Sequence, residues 1–413
     1  VQEKDFILLK DLCNNYKEDI VDGPFGANLK REHYQPEGVP VLKIQNIKPF
    51  NITLKKMDFV TTEKYEELKR HSYRSGDIIM TKLGDPLGES AIVDDIEGGL
   101  IVADLVRIRA QKIDTKYLCY HLNSPVTNSY INAQQKGTTR PRVRISVVRE
   151  LPIYAPSIEE QKRIVAILDQ AFADIDKARA LTEQNLKNAR ELFESYLQKV
   201  FSQRGEGWEP KCLAEICTFS SGGTPSKKND AYWVGDIPWV SGRDMKGTQL
   251  SDTTLHISQS AVDESSTRMA PEGSLLILVR GMGLAHGAQV VELLRPCAFN
   301  QDIRAIHLAS GIVPRFLVLA LRHRINNSSN VLSNAAHGTL KIDMDQLKGL
   351  EITLPSAEKQ AIIVAKINEL LASTDELRSR YQAKLESLDE LKKSLLQKAF
   401  SGELTTSSAE AAA

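Results

Sequence analysis

The sequence predicts an α+β protein built by duplication: two mainly β domains alternating with two long helices that pair as an antiparallel coiled coil about a pseudo-two-fold axis. Three observations carry this. Residues 151 to 202 align without a gap on residues 350 to 401, matching Pro156 with Pro355, Ser157 with Ser356, Gln161 with Gln360 and Arg179 with Arg378. Upstream the match continues at an offset of 197 to 199 residues, pairing Val39-Pro40-Val41-Leu42 with Ile237-Pro238-Trp239-Val240, Gly76 with Gly273, Asp104 with Asp302 and Tyr117-Leu118 with Phe316-Leu317. Each copy ends in a sustained apolar heptad. A duplication of this kind places two similar devices in one chain.

The chain divides into a first β domain at 1–150, a central helical region at 151–206, a second β domain at 207–349, a distal helical region at 350–404 and a low-complexity tail at 405–413. In the β domains, short β-branched or apolar runs are broken by glycine and polar turns, which is strand patterning. A few helices interrupt it, at 116–123 and 314–324. The segment Gln203 to Gly207 reads as a linker.

Ser157 with Glu160 forms a capping box that opens the central helix; the distal helix has Ser356 with Lys359 at the box position. Spacing of three and four residues then selects a seam of Leu168, Phe172, Ile175, Arg179 and Leu186 in one helix. Ile367, Leu371, Arg378, Leu385 and Leu388 form it in the other. Arg179 and Arg378 occupy the same seam position, where an arginine either snorkels to the edge or fixes register. Helices of about 45 residues reach on the order of 65 Å, a rigid spacer.

With 413 residues, 42% hydrophobic and 26% charged, the composition is that of a soluble multidomain protein. Cys13, Cys119, Cys212, Cys217 and Cys297 have neither zinc-ribbon nor redox spacing, so buried free thiols in a reducing cytoplasm are expected. No signal peptide and no apolar run of membrane-spanning length is present, so no membrane partner is expected. The 53 basic and 53 acidic residues cancel, which argues against indiscriminate polyanion binding. Any DNA affinity then needs specific contacts or partner subunits.

Several motifs imitate chemistry. Gly281-Met-Gly-Leu-Ala-His-Gly287 has GxGxxxG spacing and is followed by Ala288-Gln-Val-Val291, a returning strand where a dinucleotide site needs a helix. Gly222-Gly-Thr-Pro-Ser-Lys-Lys228 lacks the glycine before lysine of a phosphate loop. The eight histidines show no ligand spacing, and no metal or reaction centre is expected.

Polar and basic side chains at matching places in both copies carry the positive signal. Lys136, Thr138, Thr139, Arg140 and Arg142 precede the last strand before the central helix, and His337, Thr339 and Lys341 occupy the corresponding place in the second copy. Lys43, Gln45, Asn46 and Lys48 match the region of Ser241, Arg243 and Lys246; Lys82 and Arg280 end matching strands; Lys227 and Lys228 stand in a further loop. Such side chains suit phosphate and base-edge contacts in DNA.

Over its whole length the sequence resembles the specificity (S) subunits of type I restriction-modification systems. The resemblance rests on Ser221-Gly-Gly-Thr-Pro-Ser-Lys-Lys228, Asp236-Ile-Pro-Trp-Val-Ser241, Gly273 to Ile277, Phe299-Asn-Gln-Asp-Ile303, Gly-Thr at 137–138 and 338–339, and Leu354-Pro-Ser-Ala-Glu-Lys-Gln360. The first copy departs from it with Asp22-Gly-Pro-Phe-Gly26. The resemblance implies two target recognition domains, each reading half of a bipartite, asymmetric sequence in double-stranded DNA. It implies helices that set the unread gap and dock methyltransferase (M) subunits, two per S, with restriction (R) subunits joining for cleavage. S-adenosylmethionine would belong to the M subunits, ATP and Mg to the R subunits, and no cofactor or catalysis to this chain. The competing reading is a non-catalytic coiled-coil adaptor with two protein-binding β domains.

Overall fold

The computed structural model describes all residues except 1–5, 95, 138–139, 203–206, 329–330, 335–339, 402 and 404–413. Two compact units emerge, Val1–Glu183 with Gln382–Ala413, and Gln184–Tyr381, so that each takes part of both long helices.

In the first unit, strands Ile78–Thr81 and Leu105–Ile108 are buried along their whole length, Thr81 and Arg107 included, as central strands covered on both faces should be. They lie at the centre of a sheet ordered Ile20–Asp22, Leu105–Ile108, Ile78–Thr81, Ser90–Ile92. A second four-stranded sheet runs Asp58–Val60, Val39–Leu42, Gly99–Ile101, Ser72–Tyr73, with its middle pair parallel. The second unit repeats both: Cys217–Ser221, Ile303–Leu308, Leu275–Leu278, Val290–Leu293 and Gln249–Leu250 form one sheet, and Leu255–Ile257, Ile237–Val240, Cys297–Phe299 and Met269–Ala270 the other. The expected helices are Thr115–Leu122 and Pro314–Asn326; a further one, Pro125–Gln134, has no counterpart in the sequence reading.

Each domain is closed by its own ends. Phe6–Leu8, entering, pairs antiparallel with Pro152–Tyr154, leaving, and Glu209–Cys212 pairs in the same way with Glu351–Leu354. Short helices Ile145–Arg149 and Met344–Lys348 intervene between the basic loops and these last strands.

The long helices are Ile158–Ser202 and Ala357–Ser401. Ser157 Oγ accepts from Glu160 N at 3.3 Å, and Ser356 Oγ from Lys359 N at 3.4 Å. In the first unit the helices run antiparallel: Asp176 pairs with Lys392 at 2.5 Å and Arg179 with Asp389 at 2.9 Å. Leu168, Phe172 and Ile175 are buried there, and the distal helix ends with Leu396, Ala399 and Phe400 in the core. Phe400 packs against Tyr117 at 5.3 Å and His121 at 4.6 Å between centroids. The second unit has the reciprocal arrangement, Phe201 at 5.6 Å from both Phe316 and His323. Each long helix thus closes the β core of the other copy, which explains why both end in the same words.

The seam departs from expectation in its middle. Arg179 bridges to the opposite helix, but Arg378 is exposed and pairs along its own helix with Asp375 at 3.0 Å. The cause is chemical: the residue equivalent to Asp389 is Arg190. Leu186, Leu371, Leu385 and Leu388 are only half-buried, whereas Ile367 is buried.

Candidate nucleic-acid interface

In the first unit the chain leaving strand Val39–Leu42 makes a one-turn helix, Ile44–Asn46. Asn46 closes it, its Oδ1 accepting from Lys43 N at 2.9 Å while its Nδ2 donates to Thr53 O at 2.9 Å. The second unit builds the same turn with an acid: Asp244 accepts from Ser241 N at 2.9 Å and Ser241 Oγ at 2.7 Å. Burial pushes the Asp244 carboxyl up, but the hydrogen bonds from Ser241 and Thr254 outweigh it and hold it below its usual range. Asn46 is fully buried with its amide engaged, so it shapes the loop and does not read bases.

These turns set Lys43 and Gln45, or Ser241 and Arg243, at the mouth of a cleft of about 550 Å³ in each unit. In the first, the cleft is bounded by Leu29, Tyr34 and Asp104 and adjoins one of about 590 Å³ lined by Lys82, Lys136, Arg142 and Arg144. The chain at Gly23 explains the close walls: a Cβ there would lie 2.1 Å from the Val102 carbonyl carbon, and one at Gly222 would lie 2.3 Å from Phe299 O. This is why glycine stands at both positions although the surrounding phrase differs.

The basic loops dock on matching strand ends. Lys136 and Arg142 exchange backbone hydrogen bonds at 2.9 and 3.0 Å, and Val143 N donates to Lys82 O at 2.9 Å. In the second unit Ile342 N donates to Val279 O at 2.9 Å and Gly281 N to Leu340 O at 3.1 Å. The sequence match between these loops therefore corresponds to a shared position beside Lys82 and Arg280. Thr138, Thr139, His337 and Thr339 lie outside the described residues, as do the linker 203–206 and the tail 405–413.

The charges of the two clefts differ. Lys43 pairs with Asp58 and sits 4.0 Å over the Tyr34 ring; Lys82, almost buried, pairs with Asp22 at 2.6 Å with the Phe25 ring 5.0 Å away. In the second copy Asp22 becomes Ser221 and Asp58 becomes Leu255, while their lysine partners become Val279 and Ser241. The cations there, Arg243 and Arg280, take the places of Gln45 and Leu83, stand exposed and make no ion pair among the described residues. Lys48 pairs with Glu89 at 3.8 Å. Neither it nor Lys227, Lys228 or Lys246 lines the clefts described above, although all four are exposed; Lys341 is exposed beside Arg280. Phe25 and Met282, 64% and 68% exposed on the cleft walls, escape a search for polar side chains; the flanking glycines were their only signal.

Gly281 to Gly287 is a short turn of 3-10 helix leading into strand Val290–Leu293, as its spacing predicts. Cys13, Cys119, Cys217 and Cys297 are buried free thiols and Cys212 is half-buried. No group of metal-ligating side chains occurs among the described residues, and no described helix is long and apolar enough to cross a membrane.

A β domain with a polar cleft, made twice on one pattern and clamped each time by the far end of the other copy's helix, defines a two-headed recognition protein. The family model of the type I restriction modification DNA specificity domain matches residues 9–185 and again 205–387. The chain belongs to that family. The specificity subunit of the Escherichia coli EcoR124I/EcoR124II enzyme is 26% identical over 266 residues, covering 63% of this chain and 64% of the relative. The MjaIX specificity subunit of Methanocaldococcus jannaschii is 29% identical over 45% of this chain and 41% of its own length, and the StySPI subunit of Salmonella potsdam 24% identical over 92% and 86%. The chain thus spans less than two thirds of the first two relatives. Among solved structures, a chain from a study of assembly and conformational transition in a type I R-M system matches with a TM-score of 0.73 at 21% identity, covering 97% of this chain and 98% of that one. The HsdS subunit from Thermoanaerobacter tengcongensis matches at 0.60 and 19% identity, covering 98% of each. At these identities the likeness is one of fold.

Proposed function

We propose that this chain is the DNA-reading subunit of a type I restriction-modification complex and recognises a bipartite, asymmetric target in double-stranded DNA. One observation supports this above others: equivalent clefts on one repeated scaffold carry unlike side chains, Lys43, Gln45 and Lys82 in one and Ser241, Arg243 and Arg280 in the other. Repetition suits two similar DNA segments, and unlike linings read different bases. The interface comprises Lys43, Gln45, Lys82, Lys136, Arg140, Arg142, Arg243, Arg280 and Lys341, with Thr138, Thr139, His337 and Thr339 in the same loops. Both long helices dock methyltransferase subunits, two per chain, and restriction subunits join for cleavage. S-adenosylmethionine acts in the former, ATP and Mg in the latter, while this chain supplies address without chemistry.

The test is genome-wide mapping of adenine methylation in cells carrying this chain and its methyltransferase subunit, against cells lacking the chain. A new two-part motif with an unread gap is expected. No new motif, with the methyltransferase shown to be active beside another specificity subunit, sinks the reading.

A further inference from the structure

Where the domain of the first unit meets its helices, three rings fill the space. Phe50, Tyr120 and Phe172 lie with centroids 5.2, 5.4 and 5.6 Å apart. Asp169 binds them in, accepting from Tyr120 Oη at 2.7 Å and pairing with Lys116 at 2.7 Å. The duplication allows each group to be followed into the second unit. Phe50 becomes Thr248, Tyr120 becomes Leu319, Phe172 becomes Leu371, Asp169 becomes Asn368 and Lys116 becomes Arg315. Three rings and the counter-ion are gone; the cation remains.

The result is a cavity of about 440 Å³ whose walls include Thr248, Leu319 and Leu371, the same three positions, with Arg315, Arg322 and His323. Arg315 Nη1 donates to Thr248 Oγ1, but its Nε is buried with no partner. Arg322 gives its Nε to Ala288 O at 3.1 Å. Neither guanidinium makes an ion pair among the described residues. Glu292 is engaged by Gln249 Nε2 at 2.9 Å, and Glu194, on the wall, is solvent-exposed. Burial makes both guanidinium charges costly, and Arg315 adds to the cost at Arg322.

A half-buried pair of like charges with no counter-ion is relieved by an oxyanion, which guanidinium forks bind through charge-assisted hydrogen bonds. Phe193, Leu197, Leu319, Ile367 and Leu371 make one side of the wall apolar, Leu319 and Leu371 standing where rings stand in the other copy, while Glu194, His286, Asn326 and Asn327 on the wall are polar. We infer that this cavity binds a small aromatic oxyanion, its phosphate or carboxylate head on Arg315 and Arg322 and its ring against Leu319 and Leu371. The site adjoins the second unit's cleft at His286, which lines both, but it does not rest on the proposed DNA contact.

Calorimetric titration of the purified full chain with phenyl phosphate and with inorganic phosphate tests this. Saturable 1:1 binding of phenyl phosphate is expected, about tenfold or more tighter than inorganic phosphate because the ring finds apolar wall. Arg315→Gln should weaken it at least about tenfold. Thr248→Phe with Leu371→Phe, which restores two of the three rings, should abolish binding while the far-UV spectrum and melt stay those of a folded protein. That variant keeps the test decisive if Arg315→Gln does not fold. Absence of saturable phenyl phosphate binding up to about 10 mM, or binding that survives the ring-restoring variant, overturns the site; equal affinity for the two phosphates overturns the aromatic part of the ligand.

Discussion

Gln161 accepts a hydrogen bond from the backbone N–H of Asp114 at 2.8 Å, and its Nε2 donates to Pro156 O at 2.7 Å. One buried side chain therefore ties the start of helix Thr115–Leu122, which Asp114 caps, to the start of the central helix. Gln360 repeats the device in the second unit, accepting from Val313 N at 2.9 Å and donating to Pro355 O at 2.9 Å. Replacing Gln161 with leucine keeps much of the volume but leaves a donor and an acceptor unsatisfied. We expect a loss of about 2–4 kcal/mol, and a similar loss for Gln360→Leu. Melting curves of the two variants check it; a shift in only one would show that the clamps are not equivalent.

The repeated proline, serine and glutamine were legible in sequence as a match, but not as a clamp, because Asp114 and Val313 lie 47 residues away in the chain. Local patterns were read well for the same reason that this contact was not. Capping chemistry and the returning strand after Gly281 depend on neighbours, and each stands where expected. Asn46 was misread because a loop asparagine near lysines looks the same whether it faces DNA or closes its own turn. Its equivalent Asp244, an acid where a phosphate contact would be unfavourable, was the available warning. The two seam arginines split between their two readings, Arg378 at the exposed edge and Arg179 bridging, because identity between them said nothing about the facing residue, which decides whether an arginine bridges.

His121 gives the first unit a pH dependence. It is fully buried, its Nδ1 3.0 Å from Thr127 Oγ1 and its Nε2 accepting from Tyr154 N at 3.1 Å. Burial pushes the imidazole down to about 3 from 6.5, against a smaller backbone contribution that raises it. The folded pKa is below the unfolded one, so the unfolded chain takes up the proton first. Stability present above about pH 6.5 is lost as pH falls towards 3, at roughly 1.4 kcal/mol per unit. At pH 5 the first unit should be weaker by about 2 kcal/mol than at pH 7.5. In His121→Gln this difference should vanish; an unchanged pH profile in the variant would reassign it to another group.

The Arg179–Asp389 bridge is partly exposed, at 35% and 54% of the side chains, so its worth is small. A double-mutant cycle with Arg179→Ala and Asp389→Ala should return a coupling of about 0.3–1 kcal/mol, falling in high salt. The equivalent cycle on Arg190 and Arg378 should return zero or the opposite sign, since both are cations. Equal positive couplings in both would mean that something other than charge sets the register.

The two clefts should also differ in how they feel salt, granted the proposed DNA contact. Lys82 is held by Asp22, so a phosphate that approaches it meets a charge already neutralised, whereas Arg243 and Arg280 have no carboxylate to displace. With the methyltransferase-bound chain and DNA bearing its mapped target, the slope of log affinity against log salt should fall by about 1 for Arg280→Gln and for Arg243→Gln. Lys82→Gln should change it little, and Asp22→Asn should steepen it by releasing the Lys82 charge. Equal slopes for Lys82→Gln and Arg280→Gln, in a complex that still binds its target specifically, would show that the carboxylates yield to DNA and that both halves are read with free cations.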